Sequence, residues 1–534
     1  MIDIRPIAYV IGRILIVFAI LMLAPAVIDY RAGLENGFDF LQCAILTGSV
    51  GALLALATQN ALGQGLDTRQ AYVLTVAIWG IVPMFAALPF YFGAPQLTST
   101  DAYFEAVSGI TGTGSTVIIG LDALPTGTNL WRGLLNWLGG LGIAFVAMIF
   151  LPLMRVGGMQ YFRTEGFDTF GKALPRAADI AKQLLFVYAG LTVICGMVYT
   201  AVGMTTIDAV VHAMATISTG GFSPSDGSFT KYAGAGEYAG ALFMVLASLP
   251  FLRYVQLVSG APMALWRDVQ VWGFLRILAC GVAAVALWRV VSSDMGLEPA
   301  FRETLFNLTS ILTGTGFFSG EFLGWGGFVL IVAFVLGLIG GCSGSSSGAL
   351  TVFRVQVSMA ALWAQIKMIT NPNRISPVRY AGRTVQEDVL NSLILFVSGY
   401  VLIIGVLTVA LSLMGIDPVS ALFGVWASLG NIGYHFGPLT AATGTARDFP
   451  DAAKWVLILA MLMGRLGLLA VLVLALPRFW RRCRRRSNRQ VTPPLIRGLR
   501  RWPNMPARGC CQASKCAGQN SPAPGFLLMR RGLF

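Results

Sequence analysis

Ten runs of about twenty apolar residues, at 7–29, 40–62, 71–93, 131–154, 184–204, 237–259, 273–292, 327–352, 389–414 and 452–476, limit what this chain can fold into. A helix of about twenty residues spans the hydrocarbon core of a bilayer. Only 12% of the 534 residues are charged and 56% are hydrophobic, with a mean hydropathy of +0.71; soluble domains carry about 25% charged residues. The fold class expected is therefore an all-α polytopic membrane protein. The net charge of +14 does not point to nucleic acid, because the cations lie between the apolar runs and at the C-terminus. The first run is too long for a cleaved signal peptide and reads as a retained span.

Between these runs one fifteen-residue pattern occurs four times: DAYFEAVSGITGTGS (101–115), DAVVHAMATISTGGF (208–222), ETLFNLTSILTGTGF (303–317) and SALFGVWASLGNIGY (420–434). In each, a polar residue expected to cap a helix (Asp101, Asp208, Glu303, Ser420) is followed thirteen positions later by Gly114, Gly221, Gly316 or Gly433. The glycines are 107, 95 and 117 residues apart. Such repeats in a membrane chain imply pseudosymmetry about a shared pathway. The expected organisation is an N-terminal pair of spans (1–66), then four span–loop–span units at 67–158, 159–268, 269–385 and 386–486. A disordered, basic, Pro- and Ser-rich tail follows at 487–534.

Charge sets the orientation. The links after the second span of each unit carry Arg155, Arg163, Lys172, Arg176 and Lys182, then Arg253, Arg267 and Arg276, then Arg354, Lys367, Arg374, Arg379 and Arg383. The last span exits through Arg478, Arg481, Arg482, Arg484, Arg485 and Arg486. The repeated segments are poorer in cations, with Arg132, Lys231, Arg302, Arg447 and Lys454 in or beside them. The positive-inside rule then puts both termini in the cytoplasm and the repeated loops outside.

Between cap and glycine tip only about ten residues can be helical, roughly 15 Å at 1.5 Å per residue. That is half a bilayer, so each segment enters and returns. Non-helical backbone at this depth is tolerated only inside protein or along a water-filled path. Four helix C-termini directed at one point favour a cation there. The tips Thr111-Gly112-Thr113-Gly114, Ser218-Thr219-Gly220-Gly221, Thr313-Gly314-Thr315-Gly316 and Gly430-Asn431-Ile432-Gly433 contain no carboxylate. Carbonyls and hydroxyls must then coordinate, the chemistry that replaces the water shell of a monovalent ion, whereas Mg²⁺ or Ca²⁺ would call for carboxylates. The expected metal-facing residues are Thr111, Thr113, Ser218, Thr219, Thr313, Thr315, Asn431 and Ile432. A second feature is the stretch Gly340, Gly341, Cys342, Ser343, Gly344, Ser345, Ser346, Ser347, Gly348, which cannot hold a lipid-facing helix and is expected to line and obstruct the path. A third is Arg465, flanked by Leu, Met and Val in the last apolar run; an intramembrane arginine is costly and by default functional.

The four loops ending in one glycine each resemble those of the Trk/Ktr/HKT superfamily of potassium transporters, and the extra N-terminal pair is similar to its bacterial TrkH/TrkG branch. LIGGCSGSSSGAL (338–350) resembles the family's intramembrane loop, and MLMGRLGLLAVLVLALPRFW (461–480) its last span, with Arg465 at the family's membrane arginine. The resemblance covers about residues 1–485. It implies K⁺ uptake through one pore per chain, a homodimer in the bacterial inner membrane, and a cytoplasmic TrkA-like nucleotide-binding regulatory subunit. No organic cofactor is expected in the chain, and no nucleic-acid partner. Gly114, rather than Ser, favours K⁺ over the alternative of Na⁺ or mixed conduction.

Other candidates are weighed against these. His212 reads as a packed, hydrogen-bonded residue of the second short helix. His435, after the fourth glycine, departs from the Pro or Phe expected there and reads as a wall of the outer mouth. Glu105 and Glu303 read as braces of the short helices. GCSGS resembles a nucleophile turn, which opens a remote reading as a serine hydrolase built on Ser343, Ser345 or Ser346 with His212 or His435. The eight cysteines are scattered, Cys43, Cys195, Cys280 and Cys342 in apolar surroundings and Cys483, Cys510, Cys511 and Cys516 in the tail, with no His at a zinc spacing.

Overall fold

The computed structural model describes residues 3–61, 67–145, 173–293, 295–373 and 376–480. The end of the expected 131–154 span, most of the basic link after it, and the tail with its four cysteines lie outside the described residues.

Helices account for nearly all of the fold. Helices α1 (Arg5–Arg31) and α2 (Asn36–Ala57) form the N-terminal hairpin. They cross at glycines: a Cβ on Gly12 would lie 2.7 Å from the Gly51 carbonyl oxygen, and one on Gly51 would lie 2.8 Å from that of Gly12. Small residues let backbones approach where lipid offers no hydrophobic drive for association. At the hairpin end, the buried carboxylate of Asp29 accepts hydrogen bonds from Asn36 Nδ2 (2.5 Å) and from the amide of Gly127 (2.6 Å). Gly127 lies in the first turn of α6 (Thr126–Phe145). A carboxylate on helix-initial amides satisfies orphan donors and opposes the helix dipole, and here it docks the hairpin onto the segment that follows.

The repeated pattern folds as four short helices: α5 (Ser99–Thr111), α8 (Thr206–Ile217), α12 (Leu297–Thr313) and α16 (Pro418–Gly430). Their caps lie earlier than expected. Thr98 and Thr205, not Asp101 and Asp208, accept at the N-cap, and each bonds the amide of the acid three residues on (3.2 Å in both). Asp417, not Ser420, caps α16. The third helix starts at Leu297, six residues before Glu303, with no side-chain cap. A Ser/Thr/Asp at the N-cap closes the first turn onto the third residue, so the residues taken as caps are first-turn or interior residues. The displaced acids pair elsewhere: Asp101 with Lys454 Nζ (2.6 Å), Asp208 with the Tyr232 hydroxyl (2.5 Å), and Glu303 with Arg289 (2.8 Å).

Among the described residues, six helices are long and apolar enough to cross a membrane: Arg5–Arg31, Asn36–Ala57, Arg69–Phe92, Ala181–Ala201, Val269–Ser292 and Glu387–Leu413. Their outer faces carry exposed Leu, Ile and Val, such as Ile45, Ile194, Leu287 and Leu402. Other expected spans are interrupted. The 237–259 run becomes α9 (Ala235–Ala247) and α10 (Phe251–Val258), bent by 86° where Pro250 precedes α10, because proline cannot continue the hydrogen-bond ladder. The 327–352 run becomes α13 (Gly327–Ile339) followed by non-helical backbone, with helix resuming at α14 (Val352–Thr370). The last run divides at Gly467 (φ 78°) into α17 (Asp451–Leu466) and α18 (Leu468–Ala475). One departure from an all-helical chain is a two-residue antiparallel ladder, Arg379–Tyr380 with Arg383–Thr384, turned by Ala381 and Gly382 at positive φ.

The Asp29 junction gives the first test. Asp29→Ala strips the acceptor from Asn36 and from the Gly127 amide, and should destabilise the purified protein by about 2–3 kcal/mol. Thermal unfolding in detergent should show a lower Tm; an unchanged Tm would remove the junction's structural role.

Candidate ion-conduction site

The four helix tips repeat one backbone geometry. A left-handed residue follows each helix: Gly112 (φ 60°), Thr219 (φ 50°), Gly314 (φ 70°) and Asn431 (φ 53°). Two residues later comes a second, Gly114 (φ 77°), Gly221 (φ 73°), Gly316 (φ 87°) and Gly433 (φ 86°). The residue between them donates its amide back into the helix each time: Thr113 to Ser108 O (2.9 Å), Gly220 to Ala215 O, Thr315 to Ser310 O and Ile432 to Ala427 O (2.8 Å each). This 6→1 bond is the Schellman closure. It consumes the inward amides and leaves the tips rich in acceptors.

The tips also meet one another in a cycle. A Cβ on Gly114 would lie 2.5 Å from Gly220 O. On Gly221 it would strike Thr315 O, on Gly316 Ile432 O, and on Gly433 Thr113 O. Each glycine thus packs against the carbonyl of the residue that precedes the next glycine, and the fourth contact returns to the first loop. Only glycine combines positive φ with that approach. All four glycines line a single cavity of about 420 Å³, together with Thr116, Arg132, Ser223, Asp226, Tyr434 and His435.

Hydroxyls at the tips are buried and hydrogen-bonded. Thr111 Oγ1 and Thr113 Oγ1 are 2.7 Å apart, as are those of Thr313 and Thr315. Ser218 Oγ donates to Ala215 O and Thr219 Oγ1 to Ser218 O. The fourth loop differs: Asn431 donates through Nδ2 to Thr113 Oγ1 (2.8 Å) and Met461 O (3.2 Å), and the Tyr434 hydroxyl donates to Phe317 O.

Beneath the tips lies the Gly/Ser stretch. Without a helix its polar groups are satisfied across the protein. Cys342 N donates to Ser248 O, Ser346 Oγ donates to Ile217 O and Ala247 O, and Ser347 Oγ donates to Ser248 Oγ. Gly348 packs on the fourth tip, where a Cβ would lie 2.5 Å from Gly430 O. Gly340 and Gly344 take positive φ (75° and 83°), as chain reversal requires. The buried guanidinium of Arg465 joins this stretch to the first tip: Nη1 donates to Ser346 O (2.7 Å), Nη2 to Gly112 O (3.0 Å) and Nε to Thr111 O. Among the described residues no carboxylate pairs with it; three carbonyls spread its charge. A smaller cavity of about 70 Å³ runs past Ser343, Gly344, Ser345, Ser347, Gly348, Arg354 and Arg465.

Two buried arginines, Arg132 and Arg354, were not singled out from the sequence as site residues. Arg132 and Glu105 form a buried pair (2.9 Å) at the first loop. Glu105 also accepts from Thr116 Oγ1 and the Val117 amide, while Arg132 donates to Ser223 O (2.7 Å) and stacks 4.2 Å from the Phe222 ring. Glu105 therefore braces the descending chain after the first tip, and Arg132 ties it to the second. Arg354 donates to Leu350 O (2.7 Å) at the end of the Gly/Ser stretch. The available signal was a lone charge in an apolar run, the same signal that picked out Arg465.

His212 bonds Asp208 O (2.8 Å) and Ser223 Oγ (3.1 Å) within a cluster of aromatic rings. His435 Nε2 lies 2.5 Å from Ser115 Oγ. Neither histidine reaches the Gly/Ser stretch, whose hydroxyls bond elsewhere: Ser343 with Thr351, Ser345 with Cys342 O, and Ser346 with main-chain carbonyls. No nucleophile–base pair forms there, and the hydrolase reading falls.

Residues 36–482 match the family model TrkH, described as a cation transport protein. The chain is 39% identical over 486 residues to the Trk system potassium uptake protein TrkI of Halomonas elongata, an alignment covering 89% of this chain and 97% of that protein. It is 33% identical over 488 residues to the Trk system potassium uptake protein TrkH of Escherichia coli, covering 89% and 99%. The crystal structure of the potassium transporter TrkH from Vibrio parahaemolyticus superimposes with a TM-score of 0.83 at 30% identity, covering 90% of this chain and all of that one. The chain therefore belongs to the TrkH family of cation transport proteins and is not an enzyme.

Proposed function

We propose that this chain takes up K⁺ across the bacterial inner membrane through a filter made by its four glycine tips. One observation carries the reading: the four glycines line a single cavity, and each packs on the carbonyl beside the next in a closed cycle. The tips are rich in carbonyls and hydroxyls and contain no carboxylate, which suits a weakly hydrated monovalent cation. The relatives named as potassium uptake proteins support the choice of K⁺. The filter residues are those of the tips 111–114, 218–221, 313–316 and 430–433, with the Thr and Ser hydroxyls and the Asn431 and Ile432 positions facing the ion.

Below the filter, Gly340 to Gly348 and Arg465 form the gate. The guanidinium is held between the first tip and Ser346, so it sets a positive charge on the path and fastens the loop that obstructs it. The four pore units, the cytoplasmic termini, a homodimeric assembly and a TrkA-like nucleotide-binding subunit complete the reading.

Flux of K⁺, Rb⁺ and Na⁺ into proteoliposomes tests it directly, and a protein that moves none of them sinks it. Gly114→Ser and Gly316→Ser place a Cβ against the neighbouring carbonyl and should each lower the K⁺ to Na⁺ flux ratio about tenfold, the effect of about 1.4 kcal/mol. An unchanged ratio in both would refute the filter. Arg465→Ala removes the barrier charge and should raise K⁺ flux several-fold; equal or lower flux at equal protein would remove Arg465 from the gate.

A further inference from the structure

The Gly/Ser stretch is fastened on a second side, away from Arg465. At the bend between α9 and α10, the Phe251 amide donates to Gly344 O (2.9 Å) and Ser248 O accepts from the Cys342 amide (3.1 Å). Between these contacts the Ser343 amide donates to a side chain, Gln270 Oε1 (3.0 Å). Gln270 lies in the first turn of α11 (Val269–Ser293) and is 3% exposed.

Gln270 is itself oriented. Asp268 Oδ1 accepts from the Gln270 amide (2.8 Å), and Asp268 Oδ2 accepts from Arg253 Nε on α10 (2.6 Å). Arg253 is part-exposed, and its Nη1 also bonds Gln256 Oε1 (3.0 Å) on the same helix. A continuous polar chain thus runs from a surface helix to the middle of the Gly/Ser stretch: Arg253, Asp268, Gln270, Ser343. Every member is a directional contact, and the last replaces the backbone bond that a helix would have given Ser343.

We propose that Gln270, oriented by Asp268 and Arg253, is a positioning residue of the gate: it latches the Ser343 amide and holds the Gly/Ser loop across the path. This rests on the reading of residues 340–348 as the gate. The latch gives α10 a mechanical hold on the loop, so that displacement of this surface helix by any bound protein reaches the path through Asp268 and Gln270. Arg465 fastens the same loop from the filter side, and the two ties act on one obstruction.

The full-length protein in proteoliposomes tests this with two readouts, hydrogen exchange over 340–348 and basal K⁺ flux. Gln270→Met keeps the size and removes the acceptor. Arg253→Ala leaves Gln270 and its acceptor in place and removes the far end of the chain, the cation paired with Asp268. Arg267→Ala, an exposed neighbouring cation, is the control. Exchange over 340–348 should quicken in Gln270→Met and Arg253→Ala but not in Arg267→Ala. Basal K⁺ flux should rise about fivefold in Gln270→Met, the weight of one lost hydrogen bond, and about twofold in Arg253→Ala, with the K⁺ to Na⁺ ratio unchanged. A merely structural role would lower flux or disturb selectivity instead. Combined with Arg465→Ala, the gain from Gln270→Met should be less than the product of the two, since both act on one loop. Unchanged exchange in both variants overturns the latch. So does a quickened loop whose flux stays level or falls in a protein that conducts K⁺. A wild-type protein that moves no K⁺ overturns the transport reading, and the exchange data still decide whether the latch exists.

Discussion

Four short helices that end in tips buried inside the protein leave backbone groups that water does not reach, and the rest of the molecule is arranged around satisfying those groups. The Schellman closures take up one amide per tip at Thr113, Gly220, Thr315 and Ile432. What remains is an excess of carbonyls facing the neighbouring tips. In a soluble protein water would absorb that excess. Here the packing of each tip on the next dictates glycine at 114, 221, 316 and 433, because any Cβ would occupy the space of the next carbonyl.

The same constraint explains the distribution of buried charge. Acids in the first turn or middle of the short helices are matched by cations from other segments: Asp101 by Lys454, Glu105 by Arg132, Glu303 by Arg289. None of these residues belongs to a tip, so the pairs brace the helices without placing a fixed charge among the tip residues. Arg465 is the exception that touches a tip, and among the described residues its hydrogen-bond partners are carbonyls. A carboxylate partner would cancel its field. Carbonyl partners leave its positive charge in place between the first tip and the Gly/Ser stretch.

Much of this was legible in the sequence, and the losses have physical causes. The apolar runs, the four tips, the Gly/Ser break and Arg465 all follow from one-dimensional signals of length, spacing and lone charge. Cap positions were misread by three residues because Asp101 and Asp208 occupy the third helical position, where an acid is favourable for the same dipole reason that makes it a good cap. The bend at Pro250 was overlooked because hydropathy alone joins 237–259 into one span. Gln270 and Asp268 were invisible, since their roles arise from partners more than ten residues distant, Ser343 and Arg253.

The irregular fourth tip can be understood from connectivity. The first tip joins the second, the second the third and the third the fourth through continuous chain, while the fourth meets the first with no covalent link. That seam carries its own set of side-chain bonds: Asn431 to Thr113, His435 to Ser115, Lys454 to Asp101, and Arg465 to the carbonyls of Thr111 and Gly112. A backbone bond from Ala446 to Thr116 O (2.9 Å) adds to them. Asn431 replaces the glycine found at this position in the first and third tips because it tolerates positive φ and brings a donor that glycine cannot. His435 reaches Ser115 from a position where proline would offer no hydrogen-bonding side chain. The departures from the repeat therefore lie where the ring must close on itself, and they trade sequence regularity for the cross-links that a missing covalent connection demands.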